Sequence, residues 1–192
     1  MKKLLIIAIA SCSMFLSNGC KKKTETPEDP CANTVCLNGG TCVDGSCSCP
    51  TGYSGADCGT ERTPTKIAIT GIKVTNFPGL DGTSTWDPIT NTNPDLLVVV
   101  RQGLNTLITT GSVNNISAGS VTIMPGVSPT DITDIVTQLN IELWDQDTPP
   151  VDGNDTMGNI DFSIYTNGQH FPTTLTVTGG SLTFELTLSY TY

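Results

Sequence analysis

The sequence predicts an all-β protein in two parts, a small disulfide-rich module followed by an antiparallel β-sandwich of seven or eight strands. Three observations carry this expectation. Cys31, Cys36, Cys42, Cys47, Cys49 and Cys58 crowd into a short segment, and no cysteine follows them. Beyond that segment, apolar side chains recur with period two in short runs separated by Gly, Pro, Asn and Asp. Helical periodicity is missing apart from a possible turn at Ser128–Thr137.

Charge separates the same two parts. The 192 residues carry a net charge of −9, and all of it lies after Cys58, where Arg62, Lys66, Lys73 and Arg101 face thirteen acids. Such a body repels nucleic acid and anionic surfaces unless a cation neutralises it. No nucleic-acid partner is expected.

At the N-terminus, Lys2 and Lys3 precede an apolar run from Leu4 to about Leu16. The run reads as a secretion signal, shorter than a bilayer-spanning helix needs. Leu16-Ser17-Asn18-Gly19-Cys20 resembles the lipobox of bacterial lipoproteins, with Asn18 a loose fit. The resemblance implies cleavage before Cys20, acylation of its thiol and a lipid anchor in the bacterial cell envelope, at the outer membrane or cell surface. Ile9-Ala10-Ser11-Cys12 is a second candidate, and an ordinary secretory cut leaving Cys20 as a thiol is a third. Several buried acyl chains hold a protein on a membrane at ~0.8 kcal/mol per CH₂. Residues 20–30 are charged, contain Pro and almost no apolar side chains, and read as a tether.

Residues 31–58 are too few to stabilise themselves by burial and need cross-links. Spacing alone leaves fifteen pairings open. Zinc is a weak rival, because the intervals give no pair of CxxC motifs and a secreted chain favours disulfides. Cys36-Leu-Asn-Gly-Gly-Thr-Cys42 followed by Cys47-Ser-Cys49-Pro-Thr-Gly-Tyr53-Ser-Gly55-Ala-Asp-Cys58 resembles an EGF-like module over the whole segment. The resemblance implies the pairs Cys31–Cys42, Cys36–Cys47 and Cys49–Cys58. Calcium-binding members carry acid and amide residues before the first Cys. Glu28-Asp29-Pro30 departs from that pattern, so no metal is assigned to this module, and its expected role is spacer or contact surface.

Residues 59–65 read as a short polar hinge, and residues 66–192 as the sandwich. Strands are expected at Ile67–Asn76, Leu96–Arg101, Asn105–Thr109, Ser120–Met124, Ile135–Trp144, Asn159–Tyr165, Thr173–Thr178 and Ser181–Tyr190. Leu182, Phe184, Leu186, Leu188 and Tyr190 share one face of the last strand, and Gly179-Gly180 before it is a hairpin turn. Leu96-Leu-Val-Val-Val100 is apolar on both faces, as a central strand would be.

Two acidic loops adjoin these strands. One carries Asp145, Asp147, Asp152 and Asp155 after Leu139–Trp144; the other carries Asp81 and Asp87 and ends at Asp95, directly before Leu96. Carboxylates crowded at one rim repel one another unless a cation sits among them, and Ca²⁺ takes six to eight oxygens. An EF-hand is excluded, because Asp145-Gln-Asp147-Thr-Pro149 lacks the third ligand, the Gly and the closing Glu.

Pro94-Asp95-Leu-Leu-Val-Val-Val100 and Ile141-Glu-Leu-Trp-Asp145-Gln-Asp147, with Asp155-Thr-Met-Gly158, resemble a C2 domain. The resemblance implies Asp87, Asp95, Asp145, Asp147 and Asp155 as Ca²⁺ ligands, and binding of an anionic lipid headgroup, a glycan or a protein. Three departures stand beside it. Asp147 and Asp155 are farther apart than usual, so Asp152 is an alternative. The first loop is long, so Asp81 is another. No strand precedes Lys66, so the last strand would fill the missing place, as in a permuted topology. The plain alternative is that these aspartates are turn formers and solubilisers.

Catalysis is not expected. His170 is the lone histidine, no Gly-x-Ser-x-Gly elbow occurs, and no cysteine lies beyond the cassette. Trp86 and Trp144 flank the acidic loops and could stack on sugar rings, insert into lipid or brace the rim.

Overall fold

A computed structural model describes residues 28–87, 93–147 and 153–192. The signal segment, Cys20, Asp152 and most of the tether lie outside the described residues. No helix of the described residues is long and apolar enough to cross a membrane.

The first module holds β1 (Thr41–Val43) and β2 (Ser46–Ser48), paired antiparallel, and β3 (Tyr53–Ser54), paired with β4 (Thr60–Glu61). Disulfides join Cys31 to Cys42, Cys36 to Cys47 and Cys49 to Cys58, the pairing that the EGF-like resemblance implies. Gly40 must be glycine, because a Cβ there would lie 2.7 Å from Cys58 Sγ.

The sandwich is built from β5 (Lys66–Asn76), β6 (Leu96–Gln102), β7 (Asn105–Thr109), β8 (Thr122–Ile123), β9 (Thr130–Ile132), β10 (Leu139–Asp145), β11 (Asp155–Phe162), β12 (Thr174–Gly179) and β13 (Leu182–Thr191). One sheet has the order β11-β10-β6-β7. The other has the order β12-β13-β5-β8, with β9 also pairing β5. All pairings are antiparallel. The last strand lies along β5 from Thr183 opposite Asn76 to Thr191 opposite Lys66, so it fills the place that no strand before Lys66 takes.

Period-two alternation explains the core. Ile67, Ile69, Ile72 and Val74 of β5 meet Leu182, Phe184, Leu186 and Leu188 of β13 on one inner face. Leu96, Val98 and Val100 of β6 with Leu139, Ile141 and Leu143 of β10 form the other. Each fully buried aliphatic side chain contributes about 1.5–3 kcal/mol.

Three expectations need correction. The segment Ser120–Met124 forms only a two-residue strand, and Val121 and Ile123 are exposed. The possible helical turn at Ser128–Thr137 is replaced by β9 and by a turn in which the Asp134 carboxylate accepts the Thr137 and Val136 N–H groups. Residues 59–65 are not a bare hinge, since β4 lies within them and Pro64 is buried. Arg62 N donates to Gly52 O, and Thr65 N to Thr191 O.

The two modules are in contact at that place. The Glu61 carboxylate, 8 % exposed, accepts the Gly168 and His170 N–H groups and lies 2.8 Å from His170 Nδ1. Phe171 packs edge-on against Tyr53, Tyr190 and Tyr192, and Arg62 lies over the Tyr192 ring. Gly52, at φ +93°, fits because a Cβ would lie 2.7 Å from Tyr192 Oη and 2.8 Å from Phe171.

Candidate metal centre at the sandwich rim

The acidic loops lie at the other end of the sandwich. β5 ends there, β6 begins there, and β10 and β11 meet there with Asp145 opposite Asp155. The first module touches the end where β13 finishes, one strand length away, about 30 Å at ~3.3 Å per residue.

Asp145 is the central residue. It continues the odd-numbered series Leu139, Ile141 and Leu143, so the pleat turns its side chain inward between the sheets, opposite Leu96. It is 0 % exposed. Its Oδ1 accepts the Asp95 N–H at 2.7 Å, while Oδ2 is buried with no hydrogen-bond donor among the described residues. Burial is the largest cause of a carboxyl pKa pushed up to about 6. The Asp95 N–H pulls the other way, and the charges of Asp87, Asp95 and Asp155 add to the rise.

Oxygen atoms of Asp87, Asp145 and Asp147 lie within 4.8 Å of one another. Three carboxylates offer only oxygen donors, the set that suits a hard divalent cation such as Ca²⁺. A buried carboxylate oxygen lacking a donor and facing two further carboxylates is what a cation would satisfy. The residues present therefore fit the ion.

The other proposed ligands are placed differently. Asp95 is half-buried beside the group, with its Oδ1 accepting Asn115 N at 2.7 Å and its carbonyl accepting Gln146 N. It ties loops together. Asp155 is exposed on the first residue of β11. Asp81 forms a two-bond turn with Ser84 around Gly82. Asp152, the other alternative, lies outside the described residues. Asn154 Oδ1 accepts the Asp147 N–H and fixes the stem of the second acidic loop.

Two features went unread in the sequence. Asp145 shares its parity with three core residues, a usable signal that it is buried. The loop 112–119 also belongs to this rim: Val113 bridges Leu96, Ile116 N donates to Pro94 O, and Asn115 holds Asp95 and Asn93. Nothing in its local pattern announces this, since the contacts join residues far apart in the chain. Trp86 is 6 % exposed and its indole N–H donates to Pro78 O, so it braces the first acidic loop. His170 is exposed and sits at the opposite end, with Glu61.

Residues 30–58 match the family model of the EGF-like domain, and this segment is an EGF-like module. Two curated relatives match by 40 residues, the hepatocyte growth factor activator serine proteases of Mus musculus at 58 % identity and of Homo sapiens at 50 %. Each match covers 18 % of this chain and only 6 % of the relative's length. Among solved structures, a C2 domain is similar over 66 % of this chain and 98 % of its own, with a TM-score of 0.45 and 15 % identity. Human GIVD cytosolic phospholipase A2 in complex with methyl gamma-linolenyl fluorophosphonate is similar over 66 % of this chain and 17 % of its own, with a TM-score of 0.43 and 16 % identity. Both structural likenesses are weak.

Proposed function

We propose that this chain is a binding protein of the bacterial cell envelope, anchored by lipid at Cys20, in which the EGF-like module is a spacer and the sandwich rim binds Ca²⁺. Through the ion the rim takes an anionic lipid, a glycan or a protein group. The observation that supports this reading most is the buried Asp145 carboxylate, lacking a donor at Oδ2 among the described residues and grouped with Asp87 and Asp147. Ca²⁺ would cancel their charge and present open coordination positions to ligand oxygens. The contacts between the modules favour presentation as well. They place the rim at the end away from the spacer, so that a chain tethered by its N-terminus directs the rim outward. No catalytic role is proposed.

Calorimetric titration of Ca²⁺ into the whole chain is the test. Saturable heat that is lost in Asp147→Asn supports the reading. No heat, together with the same melting temperature in EDTA and in millimolar Ca²⁺, ends it. Pelleting with phosphatidylserine vesicles in Ca²⁺ but not in EDTA would select lipid among the ligands.

A second reading is a structural or assembly lipoprotein in which Ca²⁺ only steadies the loops or is not bound. It draws on the bonds that already tie the rim loops together, Asp145 to Asp95 and Asp95 to Asn115. There, chelation would lower the melting temperature at most and leave partner capture intact.

A further inference from the structure

The outward face of the four-stranded sheet carries a set of side chains that the rim does not use. Alternation along β10 sends Asn140, Glu142 and Trp144 away from the core. The pairing sets Asp161 beside Asn140, and Asn159 beside Glu142, on β11. It sets Arg101 opposite Asn140 and Val99 opposite Glu142 on β6.

These groups hold one another. Glu142 accepts the Trp144 indole N–H on one oxygen at 2.9 Å and Arg101 Nε on the other at 2.8 Å. Asn140 Nδ2 donates to Asp161 Oδ1 at 2.7 Å and to Asn159 Oδ1 at 3.1 Å. Because the indole N–H reaches a side chain two residues back on the same face, the ring leans along the strand over the sheet. Val99 lies on this outward face between Glu142 and Thr109 and is only 6 % exposed. The face continues around the free edge of β11 into an open cleft of about 490 Å³ between β11 and the β12–β13 turn, lined in part by Asn159, Asp161 and Ser181.

The chemistry narrows the occupant. Arg101 is already matched by Glu142, so among the described residues no cation is left on this face for a phosphate or sulfate, and Asp161 adds repulsion. An added peptide strand is disfavoured, because the β11 edge carries Asp155 and Asp161 and its pairing with β10 is broken by a register shift at Leu143/Trp144. A neutral sugar fits both halves of the surface. Its C–H face lies on a flat indole, and its hydroxyls donate to carboxylates and accept from amides. The cleft is within the size range of small-molecule sites, ~300–1,000 Å³.

We propose that this face and its adjoining cleft bind a neutral oligosaccharide independently of Ca²⁺, with Trp144 as the stacking platform and Asn140, Asn159 and Asp161 as the hydroxyl partners. The site shares no side chain with Asp87, Asp145 and Asp147, so it stands whether or not the rim binds metal.

The test is titration of the whole chain in EDTA with cellohexaose, maltohexaose, xylohexaose and mannohexaose, read by tryptophan fluorescence and calorimetry. Trp86, buried and bonded to Pro78, supplies a constant background signal. At least one hexasaccharide is expected to bind saturably. Trp144→Ala should weaken that binding at least tenfold, and Asp161→Ala or Asn159→Ala, both at exposed positions, severalfold. Trp144→Phe should recover part of the loss, and Asp147→Asn should change nothing. If Trp144→Ala does not fold, the two exposed substitutions decide the matter alone. Failure of all four sugars to bind at 10 mM overturns the proposal, as does binding that ignores these substitutions. Binding that requires Ca²⁺ and disappears in Asp147→Asn also overturns it, while favouring the rim as the glycan site.

Discussion

The two modules solve the problem of staying folded in opposite ways. Among the described residues 28–58, Cys58 is the one buried apolar side chain, and three disulfides hold the chain. The sandwich has no cysteine and is held by a continuous core from Ile67 to Leu188. The difference teaches where each can carry a functional group. A cross-linked module tolerates an exposed surface but has little interior in which to perturb a side chain. A packed sandwich can bury Asp145 between its sheets, because the surrounding strands hold it there despite the charge.

The largest expected effect breaks the sandwich side of this comparison. Leu143→Ala removes a fully buried side chain and should destabilise the sandwich by about 3–5 kcal/mol in urea, followed by tryptophan fluorescence. The three disulfides of the first module should stay intact by mass after alkylation. Removing Cys49 and Cys58 together is the converse. The loop they close is short, so about 2–3 kcal/mol should be lost locally. Limited proteolysis should then cut within 31–58 before it cuts the strands.

Asp145→Asn should reveal the burden carried at the rim. A neutral side chain relieves burial and repulsion, so stability in EDTA should rise by about 1–2 kcal/mol. The stabilisation by millimolar Ca²⁺ should vanish, and an unchanged Ca²⁺ shift in thermal melts would remove Asp145 from the site.

A smaller effect comes from pH. The Asp145 carboxyl is raised in the folded chain to about 6, above its ordinary 3.8. The proton is therefore held more tightly when folded, and the stability this gives is fully present below the unfolded value and is lost as pH rises through about 6. In EDTA, thermal melting should decline between about pH 4 and pH 6 and level off above that. Ca²⁺ competes with the proton of the folded state, so its stabilisation should grow as pH rises through about 6. The smallest change is expected at the contact between modules. Glu61→Gln keeps an oxygen acceptor but removes the charge beside His170, and should lower stability by about 1 kcal/mol or less. Faster amide exchange at Gly168 and His170 would locate the effect.

Much of the fold was legible because it depends on local alternation. The long strands β5, β10 and β13 follow from period-two runs that keep their character over six or more residues, and β6 follows from a run apolar on both faces. Short pieces were harder. Thr122–Ile123 and Thr130–Ile132 exist because β5 offers them a free edge, not because their own residues demand a strand. The rim was partly legible. The carboxylates were visible as a class, and the parity of Asp145 could be counted. The grouping of Asp87 with Asp145 and Asp147, and the diversion of Asp95 to Asn115, depend on how three loops meet.

By itself the sequence determined the cross-linked cassette, the alternation that makes two sheets, and the concentration of negative charge after Cys58. These are properties of neighbours along the chain, set by pleat geometry, by cysteine spacing and by counting. The tertiary structure decided which carboxylates share a space, that residues 59–65 form part of a contact rather than a bare hinge, and that Glu61 grips the loop carrying His170. Those outcomes depend on distances between residues remote in sequence, which only strand pairing and sheet packing fix.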